Sequence, residues 1–219
     1  MDFTALQADV LRKLNSDSTF WSSADIQTAL NYVYKEACEI SECYETQTTK
    51  TLTASTTYYD LEDETNSGAY EAILTINRIW NPTTSVWLDI KTVTEMDRER
   101  PRWGASFGEP FIWIPRGAST IGVYPKPSGS SSTLLIRHTA IPNSMSAGTD
   151  TPVFPPQFHS NLTTGAVAYL KGYEREYKAA ARYWKDYLEQ CDELKYFMQN
   201  RIQRDHVTVM GSNPVVARR

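Results

Sequence analysis

The chain has 219 residues, 41% of them hydrophobic and 22% charged, with a net charge of −4, enough to bury roughly 70% of its unfolded surface. That charge balance leaves no concentration of Lys and Arg for tight nucleic-acid binding. There is no basic, then apolar leader and no apolar run near the ~18 residues that span a bilayer, so a soluble, non-exported protein with no membrane partner is expected.

Phe3, Leu6, Val10 and Leu14 mark one face of a first helix, which the polar run Asn15 to Thr19 ends. Ser22 or Ser23 can cap a second, with Asp25 in its first turn where the helix dipole favours negative charge. Its stripe is Ile26, Leu30, Val33, Ala37, Ile40 and Tyr44. Cys38 and Cys43 lie five apart on this predicted helix, which points them to different faces. With Cys191 they make an odd set of three, suggesting buried thiols in a reducing compartment rather than a disulfide framework or a metal site.

From Thr46 the period changes. Thr46 to Thr53 suits an exposed strand, Tyr58 to Leu61 a second and Ala72 to Trp80 a more buried third. After the turn Asn81 to Thr84, Val86, Leu88 and Ile90 alternate with Trp87 and Asp89. Thr92 with Glu95 forms a capping-box pattern for a short helix stopped near Pro101. Phe111 to Ile114, Thr120 to Tyr124 and Thr133 to Ala140, each bounded by Gly, Pro or Ser, read as a hairpin meander.

Asp150 to Pro156 then leads into a helix marked by Phe158, Leu162, Ala166, Tyr169 and Leu170 and ending near Gly172. A longer helix runs from about Glu174 to Gln203. Its near-heptad stripe, Tyr177, Ala181, Trp184, Leu188, Cys191 and Met198, is expected to pack on the N-terminal helices. The predicted fold is therefore α+β. Residues 1–203 form one domain in which N- and C-terminal helices (2–44 and 156–203) make a bundle around an inserted β-rich section, 46–142. Residues 204–219 form an extended arm. From Gln203 on there are three arginines against one aspartate, net +2, which leaves −6 on the rest. Val207, Val209, Val215 and Val216 are more than a solvated tail needs, and Arg218 and Arg219 can pair with acids, so the arm is read as ordering on a partner.

Chemistry is sparse. Gly104 to Gly108 matches the G-x-S-x-G string around Ser106, with His138 or His159 downstream. A strand follows it instead of the helix that a nucleophile elbow requires. No phosphate loop or dinucleotide fingerprint is present, and no cofactor is expected. A hydrolase using Ser106 remains an alternative reading. So does a carbohydrate-binding module that stacks sugars on Trp80, Trp87, Trp103 or Trp113. Acidic residues cluster as Glu36, Glu39, Glu42 and Glu45, then Asp60, Glu62, Asp63, Glu64 and Glu71. Glu36, Glu39 and Glu42 step by three and share one helical flank. They suit a solvated face, or a channel lining that does not retard a polyanion.

The order of these parts resembles the head-to-tail connector, or adaptor, proteins of tailed bacteriophages. The resemblance runs from about Phe3 to Gln203. It is carried by the two N-terminal helices, Glu109-Pro110-Phe111-Ile112-Trp113, Ile121 to Pro127, Leu135-Ile136-Arg137-His138, Ile141-Pro142, Asp150 to Pro155, and the final helix with Ala179-Ala180-Ala181. His138 stands where such proteins carry an aromatic residue. The resemblance implies a structural, non-enzymatic virion protein synthesised in the host cytoplasm. It implies a homo-oligomeric ring, typically of about twelve copies, beneath the portal protein, with a downstream nozzle or stopper protein as its tail partner. Double-stranded DNA would pass through its channel without sequence-specific binding. The candidate portal-binding arm is then Val207, Val209, Val215, Val216, Arg218 and Arg219. The candidate channel lining is Glu36, Glu39, Glu42, Asp60, Glu62, Asp63 and Glu64.

Overall fold

The computed structural model describes residues 1–15, 20–61, 70–117, 119–129 and 132–210, with side chains through Asn200. The chain divides into two compact units, residues 1–43 with 144–219, and residues 44–143.

The first unit is helical. In α1 (Phe3–Leu14) the predicted stripe Phe3, Leu6, Val10 and Leu14 is buried. Asp2 accepts the Ala5 N–H at the front, and Asn15, left-handed at φ 51°, closes the back. In α2 (Ser23–Ser41) a reciprocal Ser22–Asp25 capping box fixes the start. α4 (His159–Tyr173) and α5 (Tyr177–Met210) complete the bundle, and α1, α2 and α5 all pack on α4. One continuous core results, with Leu30, Val33, Leu162, Ala166, Tyr187 and Leu194 at its centre. The Tyr187 hydroxyl donates to the Val33 carbonyl at 2.7 Å. Gly165 lies against the Tyr187 ring so closely that an added Cβ would stand 2.7 Å from it.

Three helical expectations need correction. α2 stops at Ser41, and Glu42 turns left-handed at φ 51°. That reversal swings Cys43 back over the last turn, so its Sγ lies 3.7 Å from that of Cys38 instead of on another face. Tyr44 falls beyond the helix and packs in the β unit. In α5 the buried residues are Tyr187, Cys191 and Leu194, whereas Tyr177 and Leu188 of the predicted stripe are 68% and 38% exposed. Trp184, Cys191 and Met198 of that stripe do pack at the core, so the buried face keeps part of it, adds Tyr187 and Leu194, and turns Tyr177 and Leu188 outward. Finally, α5 continues to Met210, seven residues beyond its predicted end, so 204–210 is helical rather than extended.

The second unit contains two four-stranded sheets. Sheet A has the order β1 (Glu45–Thr51), β8 (Thr133–Ile141), β3 (Ala72–Asn81), β4 (Val86–Trp87). Sheet B has the order β2 (Tyr58–Asp60), β7 (Thr120–Tyr124), β6 (Ile112–Pro115), β5 (Asp89–Ile90). All pairs are antiparallel except β5 with β6. The predicted meander is therefore split. β6 and β7 form a hairpin, but β8 leaves for the other sheet, where its inward residues Leu134, Ile136, His138 and Ala140 are buried. The alternating run at 86–90 is also two strands, because buried Leu88 anchors the chain as it crosses from sheet A to sheet B. β1 is not wholly exposed: Thr48 and Lys50 point inward and are buried.

The sheets differ in cover. A core of Tyr59, Leu61, Ile73, Ile79, Trp113, Ile121, Val123, Leu134 and Ile136 lies between them. The other face of sheet B is also covered, since Ile112, Ile114 and Tyr124 pack under Met96 of α3 (Val93–Glu99). α3 begins with the predicted Thr92–Glu95 capping box. The other face of sheet A carries the exposed residues Gln47, Thr49, Arg78, Trp87 and Arg137.

Candidate partner-binding surfaces

The alternative hydrolase constellation around Ser106 does not assemble among the described residues. Ser106 ends a 3-10 turn, Trp103–Ala105, and β6 follows it. His138 has its Nδ1 3.4 Å from the Ile136 carbonyl, while His159 hydrogen-bonds the Phe154 carbonyl at 2.9 Å and the Met1 backbone. Neither ring is turned to a serine. Among the described residues no group of three His, Cys, Asp or Glu could hold a metal ion, and no described helix is long and apolar enough to cross a membrane.

The acidic residues are spread across both units. Glu39 and Glu42 are exposed, but Glu42 is no longer helical and Glu36 turns partly inward. Its Oε2 is buried without a hydrogen-bond partner. Burial, with the Glu39 charge added, holds the Glu36 carboxyl above the usual range against the opposing effect of the Tyr187 hydroxyl. Asp60 is exposed at the end of β2, and Glu62, Asp63 and Glu64 lie outside the described residues. Of the arm residues, Val207 and Val209 fall within α5, while Val215, Val216, Arg218 and Arg219 lie outside the described residues.

Two surfaces expose the residue types that dominate protein interfaces, Tyr, Trp and Arg. In the helical unit Tyr32 of α2 stacks on Tyr169 of α4 with ring centroids 5.0 Å apart, and Tyr169 on Tyr173 at 5.2 Å. The last two hydroxyls are 3.2 Å apart. This tyrosine row lies beside Tyr177 at the start of α5 in the chain. Separately, Lys13, Thr164, Tyr183, Asp186, Glu189, Gln190 and Glu193 line an open groove of about 550 Å³ on the helical unit.

In the β unit the open face of sheet A brings together residues far apart in sequence. Pairing sets Gln47 beside Arg137 and Arg137 beside Arg78 in one row, and Thr49, Leu135, Trp80 and Trp87 in the next. The guanidinium carbons of Arg78 and Arg137 sit 5.6 and 5.3 Å from the Trp87 ring centroid. Trp80 meets the same ring edge-on at 5.0 Å. Each exposed stack of this kind is worth about 0.5–1 kcal/mol. Its larger effect is to hold both guanidiniums in place with their N–H edges available. Among the described residues neither arginine has a carboxylate partner. Sequence reading missed this cluster because only the strand register juxtaposes positions 78, 87 and 137. Of the proposed sugar platforms, Trp113 is excluded by burial, and the Trp103 indole N–H is engaged by Asp97 at 2.8 Å.

Both surfaces expose aromatic residues, of the types that protein interfaces favour. Residues 1–218 match the family model described as SU10 adaptor protein. The chain belongs to that family, and so is a structural adaptor of a phage particle. No match is found among curated proteins.

Proposed function

We propose that the protein forms a ring of about twelve copies beneath the portal, extends the DNA channel and offers the platform on which the tail assembles. Membership of the adaptor family over nearly the whole chain carries this reading. The exposed tyrosines of the helical unit and the Trp–Arg face of sheet A support it, because a ring subunit needs separate surfaces for its neighbours and for the proteins above and below. The portal protein is one such partner and the nozzle or stopper protein of the tail the other.

The C-terminal segment docks on the portal. Val207 and Val209 extend the apolar content of α5, and Val215, Val216, Arg218 and Arg219 follow it. Burying such a segment requires no preformed pocket, and repetition around a ring raises the effective concentration of each copy. Glu39, Glu42, Asp60, Glu62, Asp63 and Glu64 belong to the channel-facing surface, where acidic side chains let duplex DNA pass without phosphate contacts that would retard it; Glu36, whose Oε2 is buried, joins them only through its exposed part. No cofactor takes part.

Electron microscopy of particles tests the reading: wild type should show a ring on the portal vertex. Deletion of residues 211–219 should leave a folded protein and heads without that ring. A wild-type particle with no such ring refutes the adaptor-ring reading, and normal decoration by the truncated chain refutes the portal-docking role.

A further inference from the structure

We infer that Cys38 and Cys43 are a disulfide-forming pair, joined when the protein meets an oxidising environment, and that the bond staples the last turn of α2 to the turn beyond it. The inference uses only residues of the helical unit and does not depend on the proposed ring.

The pair is made by the end of α2. Five positions apart on a continuous helix, the two side chains would point to different faces. The left-handed Glu42, at φ 51°, ends the helix and folds the chain back. Both thiols are then buried, with their Sγ atoms 3.7 Å apart. A disulfide requires the 3.7 Å separation to close to about 2.05 Å. Cys38 is held inside α2, whereas Cys43 lies in the irregular stretch between α2 and β1. That stretch is the part able to give.

Reactivity falls on Cys43 first. A hydrogen bond from Cys38 holds the Cys43 thiol below the usual range, against the opposing effect of burial. The same hydrogen bond, with burial and the Cys43 charge added, pushes the Cys38 thiol up. Burial pushes Cys191, the third thiol of this core, up to about 11, so it stays protonated at neutral pH.

The oxidant is a small-molecule disulfide. The Cys43 thiolate attacks one of its sulfurs, a mixed disulfide forms, and the other sulfur leaves as a thiolate. With the Cys43 thiolate consumed, the effect that most opposed ionisation of Cys38 is removed. Cys38 then loses its proton and attacks the Cys43 sulfur, expelling the second small thiolate. The protein gives up two electrons and two protons, and the small disulfide takes them up as two thiols. Cytoplasmic thiols are kept reduced, whereas virion surfaces are oxidising. A phage adaptor passes from the first setting to the second, so the open pair suits folding and the bonded pair suits the released particle. The bond fixes the point at which the chain leaves the helical unit, whose first segment ends at Cys43.

Titration of the full chain with oxidised and reduced glutathione tests this. The thiols left free are alkylated without reduction, and the chain is cut with trypsin. Peptide 36–50, which contains both Cys38 and Cys43, should be unalkylated and two hydrogens lighter than its reduced form. Cys191 should be alkylated, so that of three thiols one remains. The folded chain should reach half oxidation at an oxidised-to-reduced ratio at least about 10-fold lower than the same chain in urea, because the fold holds the sulfurs together. Cys191→Ser should form the bond as wild type does, and Cys43→Ser should keep both of its remaining thiols. The wild-type peptide map decides the matter even where a variant does not fold. Three alkylated cysteines in oxidised wild type, a bond to Cys191, a reaction that stops with glutathione on Cys43, or oxidation as easy in urea as in the folded chain overturns the inference. None of these results bears on the ring, which electron microscopy of particles decides separately.

Discussion

The helical and β units solve the same burial problem at different ranges. The helical unit has one continuous core, made by stripes that repeat every three or four residues on four helices. The β unit has two cores, one between its sheets and one under α3, and it leaves a sheet face open. A helix declares its buried side locally, whereas a strand declares only that it has two sides. Which side finds a partner depends on strands distant in sequence, and among the described residues one face of sheet A stays exposed.

Removing the centre of the helical core should give the largest effect. Tyr187→Ala deletes a fully buried ring and its bond to Val33, and should cost roughly 3–5 kcal/mol. Urea unfolding followed by far-ultraviolet circular dichroism measures it, and an unshifted midpoint would show that the bundle does not depend on this contact. A single added methyl group tests the closeness of α4 and α5. Gly165→Ala pushes a Cβ to 2.7 Å from that same immobile ring, for a loss of roughly 1–3 kcal/mol. Gly104→Ala in the β unit meets nothing within 4 Å and should leave the midpoint within about 0.5 kcal/mol of wild type. Equal effects at the two glycines would erase the distinction between a tight helical interface and a loose loop.

Acid should separate the units by sign. Glu36 has its pKa raised mainly by burial, so its charged form is destabilising at neutral pH, and that cost disappears as pH falls through the raised value. Glu36→Gln should raise the melting temperature at pH 7, with the gain shrinking at lower pH. His138 is buried with its Nε2 unpartnered, and burial lowers its pKa. Its neutral form fits the core, so stability is lost as pH drops below the unfolded value of about 6.5 and on through the lowered one. His138→Gln should flatten that loss. A pH profile unchanged by either substitution would remove these two side chains from the acid response.

Much of the helical unit was legible in the sequence because its signals are local. Phe3, Leu6, Val10 and Leu14 are buried as their spacing requires, and Ser22 caps α2 with Asp25 in its first turn. What failed there failed for local reasons too. Glu42 is neither Gly nor Asn, so nothing announced its left-handed turn or the return of Cys43 to Cys38. α5 has apolar residues on two flanks, and periodicity alone could not choose between Leu188 and Tyr187. In the β unit the strands were visible but their partners were not. Nothing in Thr133 to Ile141 says that it pairs with β1 and β3 rather than with β7. Consequently nothing linked Arg78 and Arg137 to Trp87, whereas the acidic stretch was plain from composition.

The chain order of the helical unit also bears on how the protein is made. α1 and α2 leave the ribosome first, yet α4, on which both pack, begins about 120 residues after α2 ends. At bacterial and eukaryotic elongation rates of ~5–20 residues per second, the two early helices wait roughly 6–24 s with their apolar stripes uncovered. The whole β unit, residues 44–143, is synthesised within that interval and has its strand partners in hand before the bundle can close. The nascent chain therefore carries a finished β unit between an unfinished first half and an unmade second half of the bundle, and it is during those seconds that chaperone capture and premature association through the exposed stripes compete with folding.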